Sequence, residues 1–122
     1  MGNDSSVPER VQLRRTKGWR KPPNTVVVAR PTRWGNPFTA QEAAQRYPSL
    51  TPADSRRFVV NEFRDMLRSP NLREWYGYPS DAEIRTALRG RNLGCWCPLV
   101  DEHGGPAPCH ADVLLEIANG PG

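Results

Sequence analysis

Reactive side chains gather near the C-terminal end of the chain. Cys95 and Cys97 are separated by one residue, and Cys109 is followed by His110 and then, two positions on, by Asp112. On an extended strand Cys95 and Cys97 project to one side and Trp96 to the other. Cys109 and His110 open the last helical pattern, where free backbone N–H groups and the helix dipole favour an anion or lower a thiol's pKa. Three uses fit these residue types. Cys97 or Cys109 can act as a thiol nucleophile, with His110 as acid or base and Asp112 as its orienting carboxylate. Cys95, Cys97, Cys109 and His110 are together the donor types of tetrahedral zinc. The Cys-x-Cys spacing counts against zinc, as does the need for adjacent Cys109 and His110 to turn toward one point. Finally, buried cysteines can be small core residues and nothing more. The expectation is a protein without cofactor or metal, in which Cys109 or Cys97 faces a pocket and a neutral His110 is the more important group. Zinc on Cys95, Cys97, Cys109 and His110 is the alternative. His103, alone in a glycine-rich loop, reads as solvated.

A second group, Pro31-Thr32-Arg33-Trp34-Gly35-Asn36-Pro37-Phe38, follows the strongest strand signal and precedes a capped helix. Open α/β sheets bind phosphates and nucleotides at such a position. Arg33 suits a phosphate, Trp34 or Phe38 can stack on a base, and Gly35 allows close backbone approach or positive φ. A rigid turn whose aromatics fill the core explains the same residues equally well. The spacing is neither a Walker nor a Rossmann glycine loop. Arg33, Trp34 and Asn36 are expected to line one pocket with the end of the 93–97 strand, because both segments end at prolines on one sheet edge.

The positioning elements follow from pattern. Residues 1–8 read as a disordered arm and 9–120 as one α/β domain. Residues 11–15 alternate weakly as a short strand. Residues 25–29 form a continuous β-branched run, predicted to be a central strand covered on both sides. Residues 92–97 read as a third strand. Three Ser/Thr positions with an acid three residues on mark helix starts: Thr39 with Glu42, Thr51 with Asp54, and Ser80 with Glu83. Residues 70–79, with Trp75, Tyr76 and Tyr78, read as an irregular packed loop, and 111–119 as a last helix. Together these predict a compact α/β domain with a small, largely parallel sheet of three to four strands flanked by helices.

Composition excludes several classes. The 122-residue chain is 37% hydrophobic. It has no apolar run of the ~18 residues a membrane span requires. The polar start lacks a signal-peptide core. An odd count of three cysteines fits a reducing compartment better than a disulfide framework, so a cytoplasmic setting is expected. The net charge of +4 is uneven: residues 1–33 carry eight basic groups against two acidic, and the remainder nine against eleven. Such a basic front attracts polyanions or phosphorylated small molecules, or is merely a solvated arm.

Val11-Gln12-Leu13, residues 26–38 with Arg33-Trp34-Gly35-Asn36-Pro37-Phe38, residues 88–97 ending in Cys95-Trp96-Cys97, and residues 108–116 beginning Pro108-Cys109-His110 resemble a bacterial and phage family known as domain of unknown function 4326. The resemblance implies that the two groups belong together and that the setting is bacterial or phage. It implies no particular reaction. The 99–108 loop is longer than the compact form of that motif. A cysteine strand followed by Cys-His at a helix start is also similar to another uncharacterised family of small α/β proteins. The leading functional expectation is a small enzyme acting on a nucleotide, nucleoside or nucleic acid by hydrolysis or group transfer, with glycosidic-bond cleavage among its reactions. Its rivals are a non-enzymatic nucleic-acid-binding module, with or without a stabilising zinc, and a phage or bacterial protein-interaction domain.

Overall fold

The computed structural model describes residues 7–121. Most of the expected disordered arm, residues 1–6, lies outside the described part. The elements run β1 (Arg10–Gln12), β2 (Thr25–Val27), α1 (Ala40–Arg46), α2 (Pro52–Arg68), α3 (Pro70–Tyr76), α4 (Asp81–Leu88), β3 (Asn92–Cys95) and α5 (His110–Asn119). The sheet has the order β1-β3-β2 and both pairings are parallel. This is the α/β architecture expected, with three strands. No described helix is long and apolar enough to cross a membrane.

The valine run is not the central strand. β3 lies between its partners, with Val11 opposite Gly94 on one side and Val26 opposite Leu93 on the other. Gly94 explains why the less β-branched segment takes the centre. A Cβ there would stand 2.9 Å from Leu13 Cδ2, so only glycine lets the 13–16 segment close over the strand. The core gathers Val28, Phe63, Met66, Ile84, Leu88, Leu93 and Leu114, none more than 1% exposed.

Local chemistry sets the helix starts. The hydroxyls of Thr39, Thr51 and Ser80 accept from the backbone N–H of Glu42, Asp54 and Glu83, and Ser80 with Glu83 closes a full capping box. The 70–79 segment differs from expectation: it holds the helix α3. Ser69 caps it, Pro70 supplies its first turn and Gly77 ends it at φ 64°. No α3 residue is buried, so no apolar periodicity announced it.

Candidate functional site

The C-terminal ends of parallel β2 and β3 open on one edge of the sheet. β2 continues through buried Val28 and Ala29 into the 30–38 loop, while β3 runs out through Cys95, Trp96 and Cys97. Between these segments and α2 lies a cleft of about 310 Å³. Its walls include Arg30, Asn36, Phe38, Arg56, Val59, Val60 and Trp96, and Cys95, Cys97, Cys109 and His110 also line it.

The four sulfur and imidazole groups converge. Sγ of Cys95 and Cys97 are 3.7 Å apart, but not through strand alternation: the strand expected over 92–97 ends at Cys95, Cys97 lies in the bend after it, and Trp96, expected on the opposite side, lines the same cleft. Cys109 caps α5 in extended conformation at φ −154°, and its Sγ accepts from the Ala111 N–H at 3.5 Å. His110 is the first helical residue, and its Nδ1 lies 3.8 Å from Cys109 Sγ. The change of backbone state between the two neighbours turns both side chains inward. Cys95, Cys109 and His110 place their donor atoms within 4.8 Å of one another, all buried, and this group can hold a metal ion.

The imidazole is fixed from behind. His110 Nε2 lies 2.9 Å from the Val28 carbonyl, which can only accept, so this nitrogen carries the proton and Nδ1 presents a lone pair to the sulfurs. Phe63 packs edge-on against the ring, with centroids 5.3 Å apart. Hydrogen bonds from Cys109 and Cys97 push the Cys95 thiol far below its ordinary range, outweighing burial. For Cys97, contact with Cys109 lowers the value, but Cys95 and burial prevail and push it up to about 11. Cys95, Cys97 and burial push Cys109 well up.

Arg10 locks this arrangement. Its side chain, 7% exposed, donates to the carbonyls of Cys97 at 3.3 Å, Pro98 at 3.0 Å and Ala107 at 2.8 Å, and pairs with Asp112 at 3.3 Å. One guanidinium therefore ties the segment after β3 to the segment before Cys109. Asp112 spends its carboxylate here, so it does not orient His110.

The Arg33–Phe38 group divides. Asn36 and Phe38 face the cleft, but Arg33 and Trp34 do not. Trp34 is buried in the core, where its carbonyl accepts from the Tyr78 hydroxyl at 2.6 Å. Arg33 lies over the Trp34 ring and pairs with exposed Glu83 at 2.8 Å. The expected sharing of one pocket by Arg33, Trp34 and Asn36 is therefore corrected: the turn between 32 and 35 sends the first two toward α4. Gly35 serves close approach rather than positive φ, since a Cβ there would meet Arg30 Cγ at 2.7 Å. Buried Asn36 ties the loop to α2, donating to the Val59 carbonyl at 3.1 Å and accepting from Phe38 N–H at 2.9 Å. His103 is exposed outside the cleft, in a turn where Asp101 accepts from the N–H groups of His103 and Gly105.

Two cleft arginines escaped the sequence reading. Arg30 Nη1 donates to the Asn36 carbonyl at 2.6 Å. Arg56 has a buried Nε with no protein hydrogen-bond partner among the described residues. Among the described residues, neither pairs with a carboxylate and no acid lines the cleft. A signal existed for Arg56: it stands three and four positions before Val59 and Val60, on the stripe that α2 turns inward.

Fold and site define a class: a small all-parallel α/β domain with a cationic cleft over a metal-capable Cys/His cluster at the sheet's carboxyl edge. The chain matches the family described as a domain of unknown function, DUF4326, over residues 11–120, and belongs to it. No curated protein and no solved structure matches it.

Proposed function

We propose that this domain is a binding module for a phosphorylated nucleotide unit, free or within a single nucleic-acid strand, and that the cleft is its site. The observation that carries this reading is the pair Arg30 and Arg56, without carboxylate partners among the described residues, beside Phe38 and half-exposed Trp96. A buried guanidinium N–H left unpaired costs about 1–3 kcal/mol or more, and a bound phosphate oxygen removes that cost. Aromatic faces beside it suit a base. The cleft's 310 Å³ stands at the small end of ligand pockets, roughly 300–1,000 Å³, so it takes a single unit and not a duplex.

The same geometry favours binding over catalysis. His110 gives Nε2 to Val28 and turns Nδ1 to the sulfurs, Asp112 is paired with Arg10, and no carboxylate among the described residues lines the cleft. In this reading the Cys/His group holds zinc as a scaffold under the cleft. A bacterial or phage cytoplasm is the setting this reading assumes.

Calorimetric titration tests it. A nucleoside 5′-monophosphate and a short single-stranded oligonucleotide should bind, and the unphosphorylated nucleoside should not. Arg30→Ala and Arg56→Ala should each weaken binding by about 1.5–3 kcal/mol, the scale of a hydrogen bond to a charged group. Equal binding of nucleoside and nucleotide, turnover of either, or unaltered affinity in both variants would refute it.

A further inference from the structure

Two distances within the Cys/His cluster match those a tetrahedral ion imposes, and the Cys95, Cys109 and His110 donor atoms all lie within 4.8 Å of one another. With Zn–S near 2.3 Å and Zn–N near 2.0–2.1 Å, the edges of a tetrahedron are about 3.8 Å between sulfurs and about 3.6 Å from sulfur to nitrogen. Cys95 Sγ to Cys97 Sγ is 3.7 Å, and Cys109 Sγ to His110 Nδ1 is 3.8 Å. We infer that Cys95, Cys97, Cys109 and His110 Nδ1 form a closed, four-coordinate Cys3His zinc centre, with half-buried Cys97 as the fourth ligand. This stands on the cluster alone, whatever the cleft binds.

The surroundings are those of a metal site on three independent counts. The Val28 carbonyl holds His110 in the tautomer that frees Nδ1, the supporting hydrogen bond that metal-binding histidines use. The Ala111 N–H points at Cys109 Sγ, stabilising negative charge on sulfur. Arg10 joins the two ligand-bearing segments through the Cys97, Pro98 and Ala107 carbonyls. Three thiolates and a neutral imidazole around a divalent ion leave one net negative charge, which the Arg10 guanidinium and the N-terminal dipole of α5 offset. Sulfur-rich donors in tetrahedral order select zinc among the common divalent ions. On binding, each protonated thiol releases its proton to solvent as the Zn–S bond forms, with no change of oxidation state. Four protein ligands leave no open position, so the centre is structural. Trp96 sits between two of the ligands, and the ion thereby fixes one wall of the cleft.

The test uses the full chain, expressed with zinc in the medium and purified without chelator. Elemental analysis should give one zinc per chain, and all three cysteines should resist a thiol reagent until chelator is added. Cobalt(II) in place of zinc should show thiolate charge-transfer bands and the intense visible bands of a tetrahedral site. Cys97→Ala, at a half-buried position, should weaken zinc binding by more than the roughly 10–100-fold that losing a supporting hydrogen bond costs, and should alter the cobalt spectrum. A folded, metal-free protein with reactive thiols, or with a Cys95–Cys109 disulfide, would overturn the inference. So would a Cys97→Ala variant with the cobalt spectrum and zinc affinity of the parent.

Discussion

Replacing Arg10 with methionine isolates the clamp that joins the two cysteine-bearing segments. Methionine keeps much of the aliphatic stem, so the loss is chiefly that of the guanidinium's hydrogen bonds. Two of these are short, to Pro98 O at 3.0 Å and Ala107 O at 2.8 Å, while the bond to Cys97 O at 3.3 Å is weaker. Bonds from a charged donor contribute about 1.5–3 kcal/mol each, giving about 3–6 kcal/mol for the two short ones. The ion pair adds about 0–1 kcal/mol, because the Asp112 side chain is 46% exposed. Rehydration of the released carbonyls, which are only partly buried, recovers some of this. The expected cost is therefore about 3–5 kcal/mol, as for breaking a buried charge contact. Against a domain stability of about 5–15 kcal/mol the effect is large. Urea unfolding should show the midpoint falling with the slope unchanged. Arg10→Lys should recover less than half of the loss, since an ammonium cannot span three carbonyls. A cost below about 1 kcal/mol for Arg10→Met would refute the clamp.

Three further outcomes follow from the same contacts. Gly35→Ala forces a methyl against Arg30, where the nearest backbone atoms lie at 3.0 Å; it should cost about 1–3 kcal/mol in urea unfolding and weaken nucleotide binding together. Arg33→Ala removes an exposed pair with Glu83 and the guanidinium's stacking on the Trp34 ring, so it should change stability by about 2 kcal/mol or less and leave nucleotide binding intact, as calorimetry would show. The hydrogen bonds from the His103 and Gly105 N–H groups hold the Asp101 carboxyl below its ordinary range. Its folded pKa being depressed, the turn's stabilisation is present above the ordinary carboxylate range and lost as pH falls through the folded value; the protection of the His103 and Gly105 amides, taken relative to the intrinsic exchange rate at each pH, should fall on acidification and not on alkalinisation.

Much of this molecule is legible in its sequence wherever the determinant is local. Thr39, Thr51 and Ser80 announce their helices because a cap bonds three residues away. Helix α3 escaped because its cap, Ser69, precedes residues that face solvent, including Trp75 at 81% exposure. The valine run misled about the sheet's centre because strand order depends on what packs across Gly94, a contact made with Leu13 from far along the chain. The cysteine and histidine residues were visible by type and spacing. Their convergence was not, since it depends on Cys109 standing outside α5 while His110 stands inside it. Arg30 and Arg56 meet at the cleft only through tertiary packing, whereas Arg33 sat in the more conspicuous motif and lies elsewhere.

The central claim, that the cleft takes a phosphorylated nucleotide unit, is tested most directly by nitrogen–proton NMR during titration with a nucleoside 5′-monophosphate. The account predicts saturable shifts of the Arg30 and Arg56 side-chain Nε–H signals and the Trp96 indole N–H, with the Arg33 and Trp34 signals unmoved. Shifts confined to the exposed basic residues 14–21, or no shifts at all, would contradict it.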